Sequence, residues 1–339
     1  MDERFREVML ERVNKPLQIP RSDIEIGALL GIGAFSEVFR VELSSYSPGL
    51  NAETPFSART EVGSQYCNRF LVSRHRYALK QLSRETIFHT ERKTIAIQDM
   101  THEVEILSTL PSHKNIIRLH AISKNFWESP EHGFMILEGL TDTLVNRMAQ
   151  WKRRRHEMRH SKIIHRELME QCSFIARAGL GIARAIEFLH QHNIIYRDLK
   201  PQNVGFGVDG KVRLFDFGLA RKVLPENSKR RLSGSAGTAR YMAPEVSLHE
   251  SYSFPADVYS FAILLWQICT LEKPFARATT LKRLEKMVTG SDARPSLRKI
   301  RSSAIKQLLK ASWDRKAELR PNFACIVKEL ELEISFEED

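Results

Sequence analysis

Apolar positions recur along this chain in two rhythms, and each rhythm predicts a different backbone. Ile24, Ile26, Leu29 and Leu30 begin a strand pattern that runs into Gly31-Ile32-Gly33-Ala34-Phe35-Ser36. Further strands are predicted at 37–43, at 76–80 (RYALK) and across the apolar runs IIRLHAI and FMILEGL, with one helix over about Gln98 to Leu110. After Thr141 the rhythm changes. Ile175, Ala178, Ile182, Ala185, Ile186 and Leu189 recur at three- and four-residue steps and mark an amphipathic helix that ends near Gln191. Val258 to Cys269 is apolar all round, which belongs to a helix in the middle of a helical body.

The switch predicts an α+β chain in two parts, the first mostly strand with one helix and the second mostly helix. Residues 1–21 read as a charged N-terminal tail closed by Pro20, so the folded unit is expected to run over 22–333, divided at about Gly139. Residues 44–73, rich in serine, proline, glycine and asparagine, read as a surface insertion, and 334–339 as an acidic tail.

Composition narrows the class. At 339 residues, 42% hydrophobic and 27% charged, the chain is neither collagen-like, nor a coiled coil, nor disordered throughout. Cys67, Cys172, Cys269 and Cys325 stand far apart, which argues against a zinc site or a disulfide framework and predicts a reducing compartment. No signal peptide or stretch of about 20 apolar residues is found, so a cytoplasmic protein without a transmembrane segment is expected. Lysine and arginine number 52 against 41 acids, a net charge of +11. Seven of those bases lie between Lys152 and Arg166 against the single Glu157, which reads first as a solvated face because no aromatic residues interleave it. Nucleic acid is not an expected partner.

Three constellations carry chemistry. The Gly31–Ser36 turn joins two strands, and its glycines remove side chains that would keep backbone amides from closing over phosphates. Period two places Ala78 and Lys80 on one strand face; the small residue leaves room for a flat base and the ammonium can reach phosphates. Glu103 shares a helix face with Leu107 and Leu110, and a carboxylate on an apolar face needs a cation, whereas Glu105 lies about 200° around the helix. Lys80 is that cation. In the second part, YRDLKPQN (196–203) is followed by Asp216-Phe217-Gly218. Asp209-Gly210 predicts a two-residue hairpin turn between strands 204–208 and 211–215, which sets Asn203 opposite Asp216 as two oxygen ligands suited to Mg²⁺.

Together these residues resemble the eukaryotic protein kinase catalytic domain, serine/threonine type, over about 22–333. The glycine loop, Lys80, Glu103, the Asp198 loop, Asp216 to Gly218 and Ala243-Pro244-Glu245 stand in the family order. The resemblance implies a bilobal fold, a small antiparallel-sheet lobe with one main helix and a larger helical lobe, with the site between them. It implies ATP and Mg²⁺ as cofactors and a serine or threonine of a protein as acceptor. Asp198 would be the catalytic base, Lys200 would steady the transferring phosphoryl group, Asn203 and Asp216 would hold the metal, and Lys80 with Glu103 would position the phosphates. Nucleotide contacts would come from Leu30, Gly31, Ile32, Gly33, Ala34, Phe35, Ser36, Glu37, Val38, Ala78, Glu138 and Leu140, with Leu137 guarding the pocket behind. Glu245 would pair with Arg320, Asp257 would brace the catalytic loop, Tyr196 would pack a ring against Phe217, and Gly218 would be structural or regulatory. Gly205 stands where the family usually has a bulky apolar residue, which implies weaker nucleotide binding.

Lys200 and Thr238 place the chain with serine/threonine kinases, while DVYSFAILLWQI resembles the tyrosine-kinase-like branch, which keeps dual specificity open. Arg197 would grip a phosphate on the 216–245 segment, with Ser228, Ser233 and Ser235 as candidates and an upstream kinase as the source. The competing reading is a pseudokinase scaffold; every charged residue of the chemistry is present, which favours turnover.

Overall fold

The computed structural model describes residues 16–43, 77–158, 164–223, 232 and 236–338. The chain divides into two compact units, one of residues up to 109 with 118–140, the other of 110–117 with 141 onward. The 44–73 insertion and the candidate serines at 228, 233 and 235 lie outside the described residues.

The first unit is a six-stranded sheet of β1 (Leu17–Ile19), β2 (Ile24–Ile32), β3 (Ser36–Leu43), β4 (Tyr77–Leu82), β5 (Leu119–Ser123) and β6 (Phe134–Glu138), in the order β1-β5-β6-β4-β3-β2. All neighbours are antiparallel except β1 and β5. β1 corrects the expected tail at 1–21: Leu17 pairs with Ala121 and Ile19 with Ser123, and Ile19 is buried with Ile24, Leu79, Phe134 and Ile136. Two apolar residues among charges gave too short a pattern to separate from a tail.

Helix α1 (Arg84–Phe88) is capped by the Ser83 hydroxyl, which accepts from Thr86 N at 3.2 Å. Helix α2 (Thr90–Thr109) starts well before the expected Gln98 because its first two turns are solvated and carry little apolar stripe, while Ala96, Met100, Glu103, Val104 and Leu107 form the buried face. The run IIRLHAI divides. Ile117 N donates to Leu214 O at 2.9 Å and Ile116 bridges Leu214, so 110–117 packs with the second unit and the strand begins at Leu119.

The second unit contains β7 (Asp142–Thr143), α3 (Leu144–Met158), α4 (Ile164–Gln191), β8 (Ile194–Ile195), β9 (Val204–Phe206), β10 (Val212–Leu214), β11 (Arg221–Lys222), α5 (Pro244–Ser247), α6 (Pro255–Thr270), α7 (Leu281–Glu285), α8 (Ser303–Ser312) and α9 (Phe323–Glu338). Helix α6 is the axis: Tyr259, Phe261, Ala262, Ile263 and Leu264 are fully buried, and α4 and α8 pack on it. Helix α9 packs along α4 and continues to Glu338, which corrects the acidic tail expected from 334.

The hairpin is present with its register shifted by one. Phe206 pairs with Val212 and Val204 with Leu214, and Phe215 N donates to Asn203 O at 3.0 Å, so Asn203 faces Phe215 and Asp216 lies one residue beyond. The cause is a three-residue loop: Gly207 N donates to Lys211 O, Gly210 takes φ +71°, and the Asp209 carboxylate accepts from Lys211 N at 3.1 Å. Among the described residues no helix is long and apolar enough to cross a membrane.

Candidate active site

In the first unit, the turn between β2 and β3 is closed by Gly33 N donating to Ser36 O at 2.7 Å, and a Cβ on Gly33 would meet Ser36 Oγ at 3.0 Å. Ala34 and the half-buried Phe35 form its tip, and Phe35 O accepts from Ser83 N at 2.9 Å. Leu30 and Ile32 are 50% and 72% exposed, so they stand on the surface of this unit and add little to its core. Register then gathers the rest. Gly31 pairs with Val38, Ile32 with Glu37, Val38 with Lys80, and Ala78 with Leu137. Val38 and Lys80 therefore share a face, with the buried Ala78 two residues along it. Glu138 N donates to Arg118 O at 2.9 Å, and the half-buried Leu140 ends the unit.

Lys80 Nζ lies 2.6 Å from Glu103 Oε2, with the two side chains 13% and 1% exposed. A carboxylate buried this far is costly unless a cation meets it, and a charge-assisted contact at this length is a strong one. Glu105 is exposed.

In the second unit the loop 196–203 is held from beneath. Asp257, fully buried, accepts from Tyr196 N and Arg197 N at 2.8 Å each and lies 2.9 Å from His190 Nε2. That support offsets the strain of Arg197 at φ +72°. Tyr196 and Phe217 meet edge to face at 5.3 Å, and the Tyr196 hydroxyl donates to Phe215 O. Gly218 O accepts from Arg221 at 2.6 Å.

Asp198, 7% exposed, is the hub. Lys200 Nζ donates to its Oδ2 at 2.6 Å, Asn203 Nδ2 to the same oxygen at 3.0 Å, and Thr238 Oγ1 to Oδ1 at 2.8 Å. Three donors on two oxygens fix the orientation of the carboxylate. Thr238 can come this close because Gly237 takes φ +108° and carries no Cβ, which would sit 2.3 Å from Arg197 O. Beyond it, the Arg240 guanidinium donates to Pro274 O and Phe275 O, and Tyr241 donates to Gln267 Oε1 at 2.6 Å, burial pushing its hydroxyl up to about 12.

Arg197 itself donates from Nε to Leu219 O at 2.6 Å and from Nη1 to the Tyr252 hydroxyl at 3.0 Å. Arg320 grips Glu245 with both terminal nitrogens, at 2.6 and 2.8 Å, and also donates to Pro255 O and Asp314 O.

Among the described residues no group of three or more His, Cys, Asp or Glu side chains gathers as a metal cluster. The oxygen set still suits a divalent cation partly held by phosphates. Asn203 points its Nδ2 at two acceptors, Asp198 O and Oδ2, so its Oδ1 is turned the other way, and Asp216 supplies a half-buried carboxylate at φ +65°. One carboxylate and one amide oxygen are a hard-oxygen pair of the kind Mg²⁺ takes when phosphates and water complete its shell.

Sequence reasoning missed His190, Arg240 and Tyr252, which act through partners 34 to 67 residues away, and took Gly237 only as the neighbour of Thr238 in a serine/threonine-type segment.

A carboxylate hub with a lysine and a threonine on it, a buried Lys–Glu pair and a braced loop define a phosphotransferase of the protein kinase class. The protein kinase domain profile matches residues 62–330, and the chain belongs to that family, whose members transfer phosphate from ATP to proteins. It is 36% identical over 156 residues to serine/threonine-protein kinase STY17 of Arabidopsis thaliana, an alignment covering 46% of this chain and 27% of that protein. It is 35% identical over 157 residues to serine/threonine/tyrosine-protein kinase HT1 of the same plant, covering 46% and 39%. Against dual specificity protein kinase shkB of Dictyostelium discoideum it is 37% identical over 147 residues, covering 43% and 22%. The matched part of the chain thus spans about two fifths or less of each relative's length, and the relatives' kinds agree with the tyrosine-kinase-like resemblance.

Proposed function

We propose that this chain is an ATP- and Mg²⁺-dependent protein serine/threonine kinase that works in the cytoplasm. The observation that carries the reading is the Asp198 carboxylate, buried and oriented by Lys200, Asn203 and Thr238. In this role Asp198 accepts the proton of the incoming hydroxyl at Oδ1 or Oδ2, a contribution on the order of 10²–10⁴ in rate. Lys200 is already beside it to meet the charge of the phosphoryl group. Lys80, kept oriented by Glu103, binds the nucleotide phosphates, and Ala78 and Val38 leave a small-residue face for the base. Asn203 Oδ1 and Asp216 would hold Mg²⁺, which when bound neutralises phosphate charge. The rest of the rate comes from positioning and fixed charge.

Thr238 on the catalytic carboxylate, with Lys200, supports a serine/threonine acceptor. Tyrosine as an additional acceptor is the second reading, favoured by relatives named as dual-specificity or serine/threonine/tyrosine kinases. Control falls to Arg197. Its remaining N–H groups have no partner among the described residues, and a phosphate on Ser233 or Ser235, placed there by an upstream kinase, would take them. A Ser233→Ala, Ser235→Ala double variant is then expected to lose activation, and full activity in that variant contradicts this control.

Transfer of labelled phosphate from ATP to arrays of serine, threonine and tyrosine peptides, run beside Asp198→Asn, tests the whole reading. Signal from the native protein alone, mostly on serine and threonine, is expected; equal signal from both proteins overturns it.

A further inference from the structure

A protein hydroxyl that reaches Asp198 is attached to a chain, and a stretch tied to the segment that carries Thr238 has a marked charge. Residues 273–286 hold five basic side chains, Lys273, Arg277, Lys282, Arg283 and Lys286, against the single acid Glu285. All five are exposed, and none forms an ion pair among the described residues. Two bases further along are paired, Lys299 with Glu272 and Arg294 with Asp292.

Two contacts fasten this basic stretch to the acceptor side of the site. Arg240, two residues past Thr238, donates to Pro274 O at 2.5 Å and Phe275 O at 3.0 Å. The 286–290 turn packs on α5, just beyond the same segment. Thr238 touches Asp198, and Arg240 two residues on holds the backbone of Pro274 and Phe275, so the segment that carries Thr238 is tied to the start of the basic stretch.

Among the described residues the acids on this side are few: Glu285 lies within the stretch, and Glu272 beside it is taken by Lys299. Position 202 in the catalytic loop is the exposed, neutral Gln202, Glu245 is taken by Arg320, and Asp257 is spent on backbone amides. A peptide with arginines around its acceptor would find like charge on one side and no carboxylate on the other.

We propose that the enzyme selects acceptor hydroxyls flanked by aspartate or glutamate and rejects those in lysine- and arginine-rich surroundings. This rests on the protein kinase reading above and names its substrate class. It carries a consequence for the chain's own sequence. Ser233 follows Lys229-Arg230-Arg231-Leu232, the kind of surrounding this surface disfavours, so its phosphate comes from a second kinase of opposite preference rather than from self-modification.

The test compares kcat/KM for three peptides with one acceptor and neutral, acidic or basic flanks, in the native protein and in Lys282→Glu/Arg283→Glu/Lys286→Glu. The acidic peptide is expected to exceed the basic one roughly 10-fold, from several exposed ion pairs of modest strength each. That ratio should sit mainly in KM, shrink as salt rises from 0.05 to about 0.5 M, and fall or invert in the charge-reversed protein. Because it is a ratio within one preparation, partial loss of folded protein cannot mimic it. Equal rates for all flanks, a preference for basic flanks, or an acidic preference untouched by the reversal overturns the proposal while leaving the kinase reading standing. No transfer to any peptide overturns both.

Discussion

Two buried ion pairs of equal closest approach, Lys80–Glu103 in the first unit and Arg320–Glu245 in the second, are built for different ends. Lys80 meets Glu103 at 2.6 Å through a single nitrogen and a single oxygen, the lysine on a flexible stem. Arg320 meets Glu245 through two parallel contacts, at 2.6 and 2.8 Å, and its guanidinium also holds the carbonyls of Pro255 and Asp314 and lies 5.3 Å over the Tyr259 ring. A planar fork bound at so many points leaves no donor to exchange and fixes α5 to the end of α6, whereas a point charge on a mobile stem can share its donors with a phosphate. Burial alone therefore does not mark function; a bidentate planar fork and a point charge on a mobile stem serve different ends.

The largest effect that could break this contrast is on stability. Arg320→Ala is expected to cost about 3–5 kcal/mol in urea unfolding, because it strands the Glu245 carboxylate. A loss under about 1 kcal/mol would place the Arg320 pair among ordinary surface bridges.

The same corner has an alkaline signature. Burial pushes Tyr259 up to about 12, against which Arg294 and Arg320 pull it down. An unfolded tyrosine ionises near 10, so between about pH 10 and 12 the unfolded chain gives up the proton first and stability falls as pH rises. The full loss is on the order of 2–3 kcal/mol from this group. Unfolding midpoints across that window should fall less steeply in Tyr259→Phe; identical slopes contradict the burial argument.

Gly237→Ala tests the close approach behind Thr238. Its Cβ would fall 2.3 Å from Arg197 O at a left-handed φ, so about 1–3 kcal/mol of strain is expected and phosphate transfer should drop more than ATP binding. Unchanged transfer would show that the 236–241 segment need not sit on the loop.

The smallest expected change sharpens the contrast most. Lys80→Met with Glu103→Gln removes both charges together and should leave stability within about 1–2 kcal/mol of native while abolishing transfer. Glu245→Gln with Arg320→Met should stay clearly destabilised, since two carbonyls lose their donor as well.

How much of this was legible in the chain depended on how local each cause is. The Lys80–Glu103 pair could be read because a glutamate on a leucine face demands a cation within the same unit. Helix α6 followed from its all-apolar run. The hairpin around Asp209 was read correctly as a hairpin and one residue out of register, because the Asp-Gly signal does not tell a two-residue turn from a three-residue loop ending in a left-handed glycine. β1 was not legible: a three-residue strand is held by its parallel partner β5, about a hundred residues on. Nor was the division of IIRLHAI, whose first isoleucines are claimed by Leu214 and whose later residues pair in the sheet. The basic stretch at 273–286 was not legible: its charges form no motif, and only the bonds of Arg240 connect it to the acceptor segment.

The most direct measurement of the central claim is the single-turnover rate of phosphate transfer at saturating ATP and Mg²⁺ in Asp198→Asn, with nucleotide affinity measured on the same protein. Affinity should stay within a few fold of native while the rate falls about 10²–10⁴-fold. A rate that survives the substitution, or one lost only because nucleotide no longer binds, would contradict the role assigned to that carboxylate.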